Sequence, residues 1–304
     1  MEQSILSIAY DPIYKLTLPE GHRFPMEKYE LLPAQLLYEG TCNENDFFEP
    51  QTAAKETVLR IHESNYVNRL EKMQLTRQEI RKIGFPLSKE LIKREFIIAG
   101  GTIMGCEKAM KNGIAMNIAG GTHHAYSNRG EAFCLLNDQA IAAQYLLDKK
   151  LAEKILIIDL DVHQGNGTAE IFKEQNDVFT FSMHGAKNYP FKKETSDLDI
   201  ALEDKTADLL YLEILKKKLP ELLQKIQPDF IFYLCGVDVL STDKLGRLGL
   251  SIAGCKERDH YVLSTCKEQD IPVQCSMGGG YSKDIKIIIE AHANTFRVAK
   301  SIFD

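Results

Sequence analysis

Apolar runs of strand length recur along the chain, at residues 5–10 (ILSIAY), 113–118 (GIAMNI), 155–158 (ILII), 178–181 (VFTF), 230–234 (FIFYL) and 271–275 (IPVQC). Each ends in polar or glycine-rich residues. Their apolarity is continuous rather than alternating, as expected of strands covered on both faces. Between them, helical spacing runs over 135–147, 206–226 and 285–302. Strand and helix in alternation predict βαβ units: an α/β fold with a central, mostly parallel sheet and helices on both faces. Residues 190–204 (PFKKETSDLDIALED) read as a polar surface excursion, and 71–94 as a charged, mostly helical stretch before a loop at Gly84-Phe85-Pro86. With no internal repeat, low-complexity tract or linker, residues 1–304 read as one domain.

Composition narrows the class. The chain carries 37 basic and 43 acidic side chains for a net charge of -6, which disfavours a dedicated nucleic-acid binder because phosphate contacts leave a basic excess. At 304 residues it can bury a core without disulfide or structural metal. Seven scattered cysteines with no CxxC read as reduced thiols in a cytoplasmic compartment. The N-terminus lacks the features of a targeting segment, and no run approaches a membrane span, so neither export nor membrane attachment is expected.

In open α/β sheets, sites form beyond the carboxyl ends of the strands. Four such ends carry reactive groups. After 155–158 come Asp159, Asp161 and His163, followed by Gln164-Gly165-Asn166-Gly167. If the backbone stays extended, these three project to one side at period two, and two carboxylates beside an imidazole are costly to bury without a cation. Helix capping is the plain alternative for a lone Asp-x-Asp; the histidine favours metal binding. After 113–118, Gly120-Gly121 deliver His123 and His124, which could share a metal only with a bend in the chain and serve equally as an acid/base pair. After 230–234, Asp238 can supply a third metal ligand, and after 271–275, Gly278-Gly279-Gly280 precede Tyr281. Three protein ligands leave a coordination position open, as in catalytic rather than structural zinc sites, and a divalent ion there suits amide or ester hydrolysis.

These residues resemble the histone deacetylase family, with its acetoin-utilisation and acetylpolyamine amidohydrolase relatives. The likeness runs from His22-Arg-Phe-Pro-Met-Glu-Lys-Tyr29 through Gly120-Gly-Thr-His-His-Ala125, Phe133-Cys-Leu-Leu-Asn-Asp138, Asp159 to Gly167 and Cys235-Gly-Val-Asp238 to Gly278-Gly-Gly-Tyr281. The Gln-Gly-Asn-Gly variant, the segment Asp243 to Ser251 and the compact length look most like the class IV branch and its bacterial relatives.

The resemblance implies a single arginase/deacetylase-like catalytic domain holding one zinc ion on Asp161, His163 and Asp238, with ferrous iron as the other candidate. It implies His124 as general base and acid, His123 paired to Asp159, and Tyr281 as donor to the acyl oxygen. Phe133 would form one wall of an acyl-lysine tunnel, Tyr189 or Phe191 the other, with Gly279 beside it. A structural potassium ion would sit on main-chain oxygens of Asp159, Asp161 and His163 with Ser182. The implied activity is removal of acetyl or longer acyl groups from protein or peptide lysine; a small acetylated amine such as an acetylpolyamine is the alternative substrate, and a non-catalytic acyl-lysine binder the remote one. Arginase-type chemistry is disfavoured because Gln164, Gly165, Val239 and Leu240 cannot bridge a second metal.

Two positions depart from the family pattern. Asn166 stands where many relatives carry an aspartate beside the second histidine, so His124 is expected to have a lower pKa and stay neutral. Ala132 stands where glycine is usual, with a small effect expected on the tunnel wall.

Overall fold

The apolar runs assemble into one eight-stranded sheet in a computed structural model, which describes residues 6–304. The strands are β1 (Ser7–Ala9), β2 (Phe47–Phe48), β3 (Ile114–Asn117), β4 (Ile155–Asp159), β5 (Val178–Gly185), β6 (Leu198–Leu202), β7 (Phe230–Leu234) and β8 (Val273–Ser276). All pairings are parallel, in the order β2-β1-β3-β8-β7-β4-β5-β6. Every residue of β3, β4, β7 and β8 is buried, which is why their sequences are apolar without alternation. Ile5, included in the first apolar run, lies outside the described residues.

Topology turns four scattered motifs into one site. The strands that precede them, β3, β8, β7 and β4, are consecutive neighbours at the centre of the sheet, so their carboxyl ends open side by side.

Helices cover both faces. Helix Lys89–Asn112 packs against β1, β3 and β8, started by the Ser88 side chain, which accepts from Leu91 N, and stopped by Gly113 at φ 85°. Helices Asp138–Asp148, Asp208–Ile226 and Ile285–Phe303 match the expected helical stretches to within a few residues at each end.

Elsewhere the pattern misled. The expected surface excursion at 190–204 contains β6, which pairs with β5 from Phe181↔Leu198 to Gly185↔Leu202. As an edge strand it is only half buried, and Asp199 inside it together with the charged residues on either side disguises it. The stretch 71–94 divides among three helices: Ser64–Glu71 ends there, Arg77–Ile83 forms inside it with a Thr76/Glu79 capping box and Gly84 at φ 84°, and Lys89–Asn112 begins there.

Helix Ile252–Glu268 carries the largest departure from surface logic. Arg258 and Asp259, adjacent charged residues on this helix, are fully buried. Arg258 donates from Nη1 to the carbonyls of Leu160 (3.1 Å) and Gly236 (2.7 Å) and from Nη2 to Cys235 (3.3 Å). Asp259 accepts from Arg258 Nε (2.8 Å), the Tyr233 hydroxyl (2.5 Å) and Thr295 Oγ1 (2.6 Å). The guanidinium thus ties together the backbones that lead to Asp161 and Asp238. Arg258→Met is expected to destabilise the fold by about 3–5 kcal/mol, because it strands Asp259 and three carbonyls; urea unfolding of the two proteins checks it.

Candidate active site

The four strand ends converge on a cavity of about 550 Å³. At its base, one ligand atom from each of Asp161, His163 and Asp238 lies within 4.8 Å of the others. Among the described residues no other group of His, Cys, Asp and Glu is so arranged. The strand ends at Asp159, so convergence comes from the turn that follows rather than from continued alternation. Backbone amides hold the acids in place: His163 N donates to Asp161 Oδ1 (2.9 Å), Gly279 N to Asp161 Oδ2 (2.9 Å) and Val162 N to Asp238 Oδ1 (3.0 Å).

The chemistry of this cluster fits a divalent cation. Asp238 Oδ2 is buried without a hydrogen bond, although it lies 3.2 Å from His163 Nδ1. A β-carbon on Gly279 would stand 2.0 Å from that same oxygen and 2.8 Å from Asp161 Oδ2, and one on Gly236 would stand 2.4 Å from Asp161 Oδ2, so glycine keeps the space around the acids open. Burial opposes a charge on His163, yet its contacts with Asp161 and Asp238 push its pKa up to about 10. Burial and the neighbouring Asp161 push Asp238 up to about 7. The cluster therefore draws positive charge onto itself.

Above it stand two histidines whose pKa values are shifted in opposite directions. His123 Nδ1 is 2.7 Å from Asp159 Oδ2; burial disfavours its charge, but Asp159 and Asp161 outweigh burial and raise its pKa. His124 is held well below the usual imidazole range by burial and by the cationic neighbours His123 and His163. Its Nδ1 lies 2.6 Å from Asn166 Oδ1, while Asn166 Nδ2 donates to the Tyr126 hydroxyl at 3.0 Å. With the amide so oriented, Nδ1 must carry the proton, which leaves Nε2 of His124 as a free base.

The cavity walls are aromatic. Phe133 and Phe24 meet at 5.1 Å between ring centroids, Phe133 and Tyr281 at 6.2 Å, and Tyr189 stands edge-on to His124 at 5.0 Å. Phe191 also lines the cavity but is 91% exposed, so of the two alternatives for the second wall it is Tyr189 that faces the imidazole. Gly279 lines the cavity as well. Ser182 sits opposite Asp159 across β4 and β5, its hydroxyl 2.9 Å from His184 Nδ1. Ala132 and Phe133 both adopt positive φ, 43° and 69°, so the usual glycine answers to backbone conformation rather than to tunnel width.

Three residues without an assigned role emerge. Asp138 anchors the double-histidine turn by accepting from Thr122 N (2.9 Å), Thr122 Oγ1 (2.7 Å) and Ser276 Oγ (3.2 Å). Asp243 accepts from Tyr281 N at 2.6 Å and from Leu245 N and Gly246 N at 2.8 Å, seating the catalytic tyrosine candidate and the loop beside it. Lys28 is buried, donates to Gly278 O at 3.0 Å, and is pushed down to about 8 by desolvation. An acid followed by a glycine three positions on was the available signal for Asp243.

Residues 22–296 match the model of the histone deacetylase domain. The chain belongs to the histone deacetylase family. It is 29% identical to histone deacetylase 2 of Arabidopsis thaliana over 97% of this chain and 79% of that one. It is 42% identical to an uncharacterized protein of Picosynechococcus over 97% and 99% of the two chains. It is 26% identical to acetoin utilization protein AcuC of Staphylococcus aureus, over 97% and 82%. In structure it resembles a histone deacetylase homolog crystallised with SAHA, with TM-score 0.84 and 24% identity over 97% of this chain and 84% of the other. The HD domain of HDA15 matches with TM-score 0.82 and 19% identity, over 98% and 89%. The α/β architecture with its parallel sheet is thus that of histone deacetylases, and the protein is a hydrolase of that family. Metal dependence is typical of the family, and Asp161, His163 and Asp238 form a group that could hold an ion. No helix among the described residues is long and apolar enough to cross a membrane.

Proposed function

We propose that the protein is a zinc-dependent amidohydrolase of the class IV type that removes acetyl or longer acyl groups from lysine side chains. The observation that carries this reading is the placing of Asp161, His163 and Asp238 under two histidines of opposite charge preference, in one aromatic cavity. Asp161, His163 and Asp238 would hold the ion, which when bound supplies a Lewis acid for the acyl carbonyl and for water.

The chain's own groups do the rest. His124, held well below the usual imidazole range chiefly by burial, accepts the proton of the attacking water at Nε2 and returns it to the departing amine. His123, its pKa raised by Asp159 and Asp161 against the effect of burial, adds positive potential when protonated where negative charge develops. Burial and the charges of Asp238 and Asp161 hold the Tyr281 phenol well above its usual pKa, so it keeps its proton to donate to the acyl oxygen. Phe24, Phe133 and Tyr189 line the path for lysine methylenes and exclude water. Tyr29, Arg94 and Ile98, all buried, also line the cavity of about 550 Å³, and an acyl group longer than acetyl belongs to the same reading. A potassium ion beside Asp159 and Ser182 belongs to the same reading, as a structural element.

The test is purified protein of measured metal content, assayed against lysine peptides bearing acyl groups from acetyl to myristoyl and against acetylpolyamines. Turnover of acyl-lysine with one zinc per chain is the expected result. Preference for acetylpolyamine, iron in place of zinc, or a metal count near two would each correct a stated part of the reading.

Asn166→Asp gives a pH test. A carboxylate against Nδ1 stabilises the imidazolium and raises the pKa of His124. Because the base works unprotonated, the acidic limb of kcat against pH is expected to move to higher pH. An unmoved limb would remove Asn166 from the base's surroundings.

A further inference from the structure

The mouth of the cavity runs against the charge of the whole chain. Five exposed cations line it, Arg23, Lys82, Lys187, Lys244 and Arg247, whereas the sole carboxylate among the lining residues is Asp161, buried at the base. The chain as a whole carries -6.

These cations are fixed to the walls. Lys82 O accepts from Ala132 N at 2.9 Å and Ile83 O from Phe133 N at 2.6 Å, tying Lys82 to the aromatic wall. Lys244 follows Asp243, which holds the backbone of Tyr281. Arg23 lies 4.9 Å from the centroid of the Phe133 ring. The Lys187 segment joins the same rim because Asn188 Nδ2 donates to Leu245 O at 2.7 Å.

Neutralisation is partial. Arg247 pairs with Asp204, and Lys187 approaches Glu203 at 3.8 Å and Asp204 at 3.9 Å. Glu131, behind the wall, is taken up by the Tyr189 hydroxyl (2.6 Å) and Arg129 Nε (2.8 Å). Arg23, Lys82 and Lys244 have no ion pair among the described residues.

We propose that this rim selects acyl-lysine lying in an acidic stretch of a protein substrate, with aspartate and glutamate on either side of the modified lysine. The inference rests on the deacylase reading. The cations come from four separate segments of the chain around the opening, so a ligand engaging several of them must lie across the mouth, as a polypeptide does and a small amide does not. An acetylpolyamine brings its own ammonium groups to this rim and is repelled. Complementary charge of this kind acts on encounter and on rejection of wrong partners, and fades with salt.

The experiment compares acyl-lysine peptides of one length flanked by Asp/Glu, by Ser/Gly or by Arg, together with an acetylpolyamine, on the metal-loaded protein. At low salt, kcat/KM is expected to be about tenfold or more higher for the acidic peptide than for the Arg peptide, the gap closing as salt is raised toward 1 M. Lys82→Glu/Lys244→Glu is expected to invert the order. Lys149→Glu/Lys154→Glu makes the same charge change at the opposite end of the sheet and is expected to keep it. Equal turnover of all peptides, or preference for the acetylpolyamine, overturns the rim assignment; the equal-turnover result would leave deacylation intact. If no acyl amide is turned over, the deacylase reading fails instead. Fluorescence anisotropy of the labelled acidic peptide then decides the rim, equal affinity for the native and Lys82→Glu/Lys244→Glu proteins being the overturning result.

Discussion

Tyr281→Phe is expected to lower kcat about 10²–10³-fold while metal content and thermal stability stay at the native level. The ring belongs to the aromatic wall, 5.8 Å from Phe24 and 6.2 Å from Phe133 between centroids, and phenylalanine keeps that packing. Its backbone N–H is held by Asp243, so the loop needs nothing from the hydroxyl. What the substitution removes is one proton donor in a buried, low-dielectric place, where a donor aimed at developing negative charge counts most. Since that interaction strengthens only as the acyl oxygen gains charge, kcat and kcat/KM should fall together with little change in KM. The raised pKa adds a control: burial and the charges of Asp238 and Asp161 move this phenol's titration up, so a basic limb near neutral pH belongs to another group. Metal analysis alongside steady-state kinetics checks the prediction, and full activity in the variant would sink the oxyanion role.

How much of this was legible beforehand follows from where each residue sits. The triad, the two histidines and the tyrosine follow directly on continuous apolar runs, and a parallel sheet sends such positions to one end. Strand order was not legible, since nothing in the sequence says that the runs ending at Asn117 and Ser276 are neighbours. The strand at Leu198–Leu202 was hidden because it is a short edge strand, broken by Asp199 and set between charged residues. Arg258 and Asp259 were hidden for the opposite reason: in Lys256-Glu257-Arg258-Asp259 two charges are solvated and two are buried, and only the packing of the helix distinguishes them. Asp138 opens a helix and Asp243 lies in a loop, ordinary places for an acid, but the backbones they hold carry the site. The basic rim was invisible because residues 23, 82, 187, 244 and 247 come from separate parts of an acidic chain. The sign of this rim is opposite to the net charge of the chain.

His163→Ala is expected to abolish metal retention and activity together. The imidazole is the single nitrogen donor of the triad, flanked by Asp161 Oδ1 at 3.0 Å and Asp238 Oδ2 at 3.2 Å. Alanine leaves two buried carboxylates with backbone amides on one side and nothing cationic between them, a costly arrangement. The apo variant should therefore be less stable than the apo native protein. The sharper readout is the response to zinc. A ligand that binds only the folded state stabilises by RT ln(1 + [L]/Kd), about 4 kcal/mol at a free concentration ~1,000-fold above Kd. For a chain of this size that is a rise in Tm on the order of 10 °C. The native protein should show that rise and the alanine variant should lose it. A native-sized shift in the variant would place the ion elsewhere and break the link between the triad and hydrolysis. Loss of the shift with unaltered turnover would separate catalysis from the metal altogether. Tyr281→Phe should keep the full shift, so the two variants fail differently, one through chemistry with the ion in place and the other through the ion itself.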